Sequence, residues 1–391
     1  MTRKKSKRNT SKTNRSTLIV FLVGFALAAL YYWQTGSDPW GLFTDGASEI
    51  GDRDSMIVGS GGDWWQVYFT NPLSEVPDDL NGSVAEQLIV HINAAQDTID
   101  VAAFEFNLTP VAEALITAHQ RGVRVRWVTD DEHGIEADEE EDHGQFAMLE
   151  RAGIEVRDDR RSGLMHNKFW IFDGQTVWTG STNVTQNGIF RNNNNVIVID
   201  SPALADIYGR EFEEMWDGEF GTSSPSTLDK QSIEVGGSTI QVLFAPEDEV
   251  ISHLAPLVQD AQQSIRFMAF SFTHNELGAA VLDRARAGVD VRGIFETRAS
   301  ETEYSQLPNL YCAGLAVRQD GNPRTFHHKV FVIDEEIVVT GSFNFSNNAD
   351  KSNDENVLFI ANRDIAAEYL QEFERRWTEA SSPEAANMNC P

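Results

Sequence analysis

His166-Asn167-Lys168-Phe169-Trp170-Ile171-Phe172-Asp173, with Thr179-Gly180-Ser181-Thr182-Asn183 close behind, returns 161 residues later as His327-His328-Lys329-Val330-Phe331-Val332-Ile333-Asp334 and Thr340-Gly341-Ser342-Phe343-Asn344. Both stretches read H-x-K-x4-D-x6-G-S-x-N. Residues i and i+2 of a strand share a face, so each imidazole projects beside an ammonium while the apolar residues that follow enter a core. His328, at the x position, is expected to point away from that face.

The repetition extends outward from the motif. Ala94 to Phe106 aligns with Asp260 to Phe272 without a gap at an offset of 166, and Arg121-Gly122-Val123 falls on Ala287-Gly288-Val289 at the same offset. From Ala152-Gly153-Ile154 onto Ala313-Gly314-Leu315 the offset is 161, so the first copy holds five extra residues in an interval that contains the acidic run Asp130 to Asp142. Each copy reads as strands alternating with helices, then the motif strand, then a closing helix, Asp206 to Trp216 or Ile365 to Trp377. The expected fold is α/β: two pseudo-symmetric halves with mixed or parallel sheets flanked by helices, and the site in the cleft between them.

The organisation expected from composition is a basic segment at 1–16, an apolar segment at 17–33 and a Gly-rich linker at 34–63. Repeats at 64–221 and 238–380 follow, separated by a linker at 222–237, with a tail at 381–391. As a helix, Thr17 to Trp33 would rise roughly 25 Å, at the short end for a bilayer span. Seven of the 31 basic residues precede it, and Tyr31, Tyr32 and Trp33 stand where an interfacial belt would. A single-pass anchor with a cytoplasmic N-terminus and an exported catalytic domain is the expectation; a cleaved signal peptide, with Ala26-Leu27-Ala28 as the processing site, is the alternative.

The net charge of -29 opposes a broad nucleic-acid face and leaves room for a phosphate-sized basic pocket. Cys312 and Cys390 are too few for a disulfide framework. Export permits one bond between them, and the simpler reading is two unrelated residues.

A phosphodiester requires a nucleophile, a proton donor for the leaving oxygen and positive charge around the non-bridging oxygens. Two copies supply all three. One histidine attacks and the other protonates, Lys168 and Lys329 neutralise charge, and Ser181, Asn183, Ser342 and Asn344 donate hydrogen bonds to phosphate. No metal or cofactor is required, and oligomerisation is not needed. Asp173 and Asp334 are candidate catalytic residues, but each ends an apolar strand, where aspartate also starts turns. His133 and His143 with Asp131, Glu136 or Asp142 suggest a metal site; the plainer reading of the acidic run is a solvated loop, placed to form a rim or lid over the site. Trp64, Trp65, Trp170 and Trp178 read as packing residues.

These motifs resemble the phospholipase D superfamily from Trp64 to Trp377. The second copy, with its H-H-K, T-G-S-F-N and N-D-E-N words, is most similar to the bacterial nuclease and mitochondrial cardiolipin hydrolase branch. The resemblance implies a two-step, cofactor-free reaction through a phosphohistidine. Phospholipid head-group hydrolysis is favoured on charge and anchoring; nucleic-acid cleavage and phospholipid synthesis by head-group transfer are the alternatives. Asn353-Asp354-Glu355-Asn356 aligns with Asn192-Asn193-Asn194-Asn195, which puts Asn194 where the second copy has Glu355. The family uses this position to orient a catalytic histidine. If it reaches across the cleft, Glu355 serves His166 as nucleophile and Asn194 faces His327 as general acid; if Glu355 serves its own copy, the roles reverse.

Overall fold

The computed structural model describes residues 57–390 apart from 74–76, 78, 227–230 and 389. Two eight-stranded sheets carry the chain. The first runs, in spatial order, Ile57–Gly61, Trp65–Thr70, Asn195–Asp200, Thr176–Gly180, Lys168–Phe172, Thr98–Ala103, Arg124–Thr129 and Glu155–Asp158. The second repeats that order with Ser232–Val235, Ser238–Ala245, Glu355–Ala361, Ile337–Gly341, Lys329–Ile333, Ser264–Ala269, Asp290–Phe295 and Ala316–Gln319. Both sheets are mixed: the last three strands of each pair in parallel through helical crossovers, and the others are antiparallel.

Each motif strand feeds two cores because its side chains alternate. Phe169 and Ile171, like Val330 and Val332, enter a central core shared by both halves, while Trp170 and Phe172, or Phe331 and Ile333, enter a core on the outer side of their own sheet. The central core takes in both closing helices. Each packs on the opposite half: Tyr208 lies edge-on to Phe244 with ring centroids 5.4 Å apart, and Tyr369 edge-on to Phe69 at 5.2 Å. These helices are longer than the sequence periodicity suggests, Pro202–Trp216 and Arg363–Glu379, because the Ser201 and Asn362 side chains cap them by accepting from the Leu204 and Ile365 amides.

Buried polar groups fasten the halves. The Asn356 carbonyl accepts from Thr179 Oγ1 at 2.8 Å and Tyr208 Oη at 3.1 Å, while its amide donates to Asn167 Oδ1 at 2.9 Å. Asn195 mirrors it, accepting from Thr340 Oγ1 at 2.8 Å and Tyr369 Oη at 3.3 Å, with its amide 3.2 Å from His328 Nδ1. His328 turns away from the other motif histidine, and its Nε2 lies 3.2 Å from Glu372.

Several expectations need correction. The expected tether already contains the strand Ile57–Gly61, and the second linker contains Ser232–Val235; glycines that read as linker instead serve short hairpins between edge strands. Cys312 and Cys390 are joined in a disulfide, with Cα atoms 5.3 Å apart. Met388, buried in the outer core of the second half, brings Cys390 to Cys312. The single-pass localisation is overturned: among the described residues no helix is long and apolar enough to cross a membrane, their apolar faces being spent on the sheets. Thr17 to Trp33, on which that expectation rested, lies outside the described residues.

Truncating either clasp asparagine strands several buried donors at once. Asn356→Ala is expected to lower unfolding stability by roughly 3 kcal/mol, measured as a drop in the urea midpoint at unchanged slope; a loss under about 1 kcal/mol would show that the clasp contributes little.

Candidate active site

The segments just before the two motif strands are held by the opposite half. His166 N donates to Asp354 O at 2.9 Å and Asp354 N to Leu164 O at 2.8 Å; Thr325–Phe326 pairs with Asn192–Asn193, and His327 N donates to Asn193 O at 2.9 Å. Each motif histidine therefore begins beside the other copy's asparagine-rich run. His166 Nδ1 lies 2.7 Å from Glu355 Oε2, and His327 Nδ1 lies 2.9 Å from Asn194 Oδ1 and 3.0 Å from Ser181 O. Facing acceptors, each Nδ1 carries the proton of the neutral ring, which leaves Nε2 with a free lone pair.

Lys168 Nζ donates to His166 O at 2.9 Å and Lys329 Nζ to His327 O at 3.0 Å. The two ammoniums lie over the Phe104 and Phe270 rings at 5.0 and 4.9 Å, and each ring also meets its own histidine edge-on. Burial, reinforced by the two lysines, holds both histidines well below the ordinary imidazole range. Burial also lowers Lys168 to about 8 and, with Lys168 beside it, pushes Lys329 well down. Glu355, wholly buried, is raised to about 7 by its burial, which outweighs the opposing lysines and the hydrogen bonds from Ser342 and Asn353. Each of these shifts favours the neutral form of a buried group, and an anion bound beside the lysines would supply the counter-charge that restores the cations.

Ser181 and Ser342, expected to bind phosphate, face the groups that bind the histidines. Both are fully buried; Ser181 Oγ donates to Asn194 Oδ1 at 2.8 Å and Ser342 Oγ to Glu355 Oε2 at 2.6 Å, so they position the residues that bind the histidines. The glycine before each has φ near 150°, and a Cβ there would lie 2.3 Å from Asn195 O or 2.1 Å from Asn356 O, which accounts for the G-S pairing. Asn183 and Asn344 are half-buried. Asn183 donates to Glu105 Oε2 at 2.8 Å, and both carbonyl oxygens lack a partner among the described residues.

Asp173 and Asp334 lie at the far ends of the motif strands, away from the histidines. The Asp173 carboxylate accepts from the Gln96, Asp97 and Thr98 amides, and Asp334 from Gln262, Gln263 and Ser264. Each has φ of 53°, the left-handed turn conformation aspartate tolerates. They tie the motif hairpin to the turn before the neighbouring strand.

Sequence reasoning missed Phe104 and Phe270, and the buried carboxylates Asp130 and Glu296. Asp130 Oδ2 accepts from Met165 N at 3.1 Å, while Glu296 Oε2 accepts from Phe326 N at 2.6 Å, so each fixes the residue preceding a motif histidine. The offset of 166 pairs Phe104 with Phe270 and Asp130 with Glu296, a signal available in the repeat. Part of the acidic insert does reach the site: Asp131–Glu136 forms a π-helical turn that lays His133 on the Phe104 ring at 4.8 Å, with Nδ1 3.1 Å from Asp130. Beyond it, Asp138 caps the helix Gln145–Arg151, and His143 Nδ1 lies 3.1 Å from Glu141 O.

Two half-sites merging into one buried centre of two histidines and two lysines define the class of two-copy PLD-like folds. The chain belongs to the PLD-like domain family described as cardiolipin synthase, matched over residues 88–216 and 254–377. It is 35% identical over 135 residues to a mitochondrial cardiolipin hydrolase of Xenopus laevis, covering 34% of this chain and 62% of that protein. It is 32% identical over 149 residues to a phospholipase D of Rickettsia prowazekii, covering 38% of this chain and 73% of that one. In fold it is similar to the crystal structure of phosphatidylserine synthase from Haemophilus influenzae, with TM-score 0.59 and 15% identity over 85% of this chain and 93% of that one.

Asp173→Ala is expected to leave kcat of the folded protein within about twofold of wild type and to cost about 1.5 kcal/mol of stability, modest because the carboxylate is only partly buried. Burial alone would raise this carboxyl, but three backbone N–H groups outweigh it and hold it below its usual range. Its contribution is therefore complete above about pH 4 and lost as pH falls through its folded pKa. Denaturation curves of wild type and variant should converge in acid; a large fall in kcat would instead make Asp173 catalytic.

Proposed function

We propose that this protein is a phospholipase D-type phosphodiesterase that hydrolyses phospholipid head-group esters through a phosphohistidine on His166. The observation that carries the assignment is the 2.7 Å contact between His166 Nδ1 and Glu355, set against the neutral amide of Asn194 at His327. An imidazole that attacks through Nε2 becomes cationic, and a carboxylate on Nδ1 stabilises that cation.

His166 Nε2 attacks phosphorus, the bond to the leaving oxygen breaks, and His327, protonated once the anionic substrate is in place, gives that oxygen its Nε2 proton. Lys168 and Lys329 stabilise the charge on the non-bridging oxygens. In the second step His327 takes a proton from water as its oxygen attacks phosphorus, and the P–N bond breaks to release His166 neutral. A phospholipid substrate is supported by relatives named phospholipase D and cardiolipin hydrolase, and by a charge of -29 that repels polynucleotides.

With a p-nitrophenyl phosphodiester, whose leaving group needs no proton, His327→Ala should keep the first-turnover burst while His166→Ala shows none. Glu355→Gln should lose about 10⁴-fold in kcat by analogy with replacing the acid behind a catalytic histidine by its amide. A trapped phosphohistidine should map to residue 166, and mapping to residue 327 would reverse the assignment. Labelled phosphatidylcholine and single-stranded DNA offered to the full chain decide substrate class: faster turnover of DNA would remove the phospholipid reading.

A further inference from the structure

The two flanks of the histidine pair are built on one plan and finished differently. Asp131 N donates to Asp159 Oδ1 in the first half and Thr297 N to Asp320 Oδ2 in the second, so the chain keeps register just past Asp130 and Glu296. At the same offset of 166, Glu132 corresponds to Arg298 and His133 to Ala299. His133 covers Phe104 in the first half. The small Ala299 does not fill the matching space, and a cavity of 610 Å³ opens there, lined by Phe270, Phe272, Phe295, Arg298, Ala299 and Thr325. That volume lies within the range of small-molecule sites.

The cavity shares Phe270 with the reacting groups. Phe270, one of its walls, has its ring 4.8 Å from that of His327 and carries Lys329 Nζ on its face. Arg298 is fixed by Nε on Glu296 Oε1 at 2.9 Å and by Nη2 on Thr325 Oγ1, yet its side chain remains 64% exposed. Glu296 is already engaged on both oxygens, by Arg298 and by Phe326 N. The result is an oriented guanidinium on the His327 side of the centre, where the other side carries Glu132 in an acidic turn. The planar fork of a guanidinium held in this way pairs with two oxygens of an oxyanion at once, a phosphate or a carboxylate.

We propose that this cavity is the leaving-group subsite and that Arg298 selects leaving alcohols that themselves carry a phosphate. The placement rests on the histidine assignment above, since the group protonated by His327 departs on its side of phosphorus. The first half offers the opposite charge to the retained portion of the substrate.

The test uses the full chain, with Arg298→Gln and Arg298→Lys, on methyl phosphodiesters of choline, glycerol and glycerol phosphate, and on phosphatidylcholine, phosphatidylglycerol and phosphatidylglycerophosphate in mixed micelles. Wild type should favour the glycerol phosphate ester over the glycerol ester in kcat/KM. R298Q should cut that preference about tenfold, chiefly through KM, and R298K should retain part of it. An unchanged preference, or an equal loss on all three leaving alcohols, overturns the subsite. Turnover of the soluble series alone removes the phospholipid reading while its selectivities still decide the subsite. If no diester is turned over, the phosphodiesterase reading falls and the subsite with it.

Discussion

The short ladders that cross between the halves, Leu164 to His166 against Asp354 and Thr325 to His327 against Asn192 and Asn193, are the constraint on which the site depends. Each motif strand can present its histidine only where the opposite half permits its first residues to pair. Because the carboxylate and amide partners follow directly on Asp354 and Asn193 in the chain, backbone pairing delivers Glu355 to His166 and Asn194 to His327. A one-residue slip would turn the motif side chains to the other face and break both contacts. The asparagine clasp and the reciprocal packing of the closing helices hold that register.

Four ionisable groups of one pair of motifs are thereby buried together, and burial dominates their electrostatics. Burial disfavours the positive forms of these groups, so the arrangement is complementary to an anion that supplies the counter-charge. Glu355 is the single break in the symmetry at this level. It makes the two imidazoles chemically unequal although their local geometry is nearly the same, and an unequal pair is what a reaction with a nucleophile and a separate acid requires.

A second break lies one shell further out, where Asp130 holds His133 in one half and Glu296 holds Arg298 in the other. The equivalent carboxylates keep the same task, fixing the residue before each motif histidine, so that task constrains them. The residues they steady toward solvent are free to differ, and the flanks of the site can diverge in charge and shape without disturbing the centre.

The repeat made the two-half α/β plan, the motif strands and the His-Lys pairs legible, because strand alternation and a constant offset are local properties of the chain. Phe104, Phe270, Asp130 and Glu296 were equally present in the repeat, but nothing in their types marks them as neighbours of a histidine. Asp173, Asp334, Ser181 and Ser342 carry the chemistry-bearing residue types of the motif, yet where they point depends on turns and on the adjoining strand: the aspartates tie loops, and the serines stand behind the groups that touch the histidines. The Cys312–Cys390 bond depended on burial of Met388 some 76 residues from Cys312. Composition and spacing thus determined which residues were available, and only long-range pairing decided which of them meet, because hydrogen bonds between halves join positions that no local pattern relates.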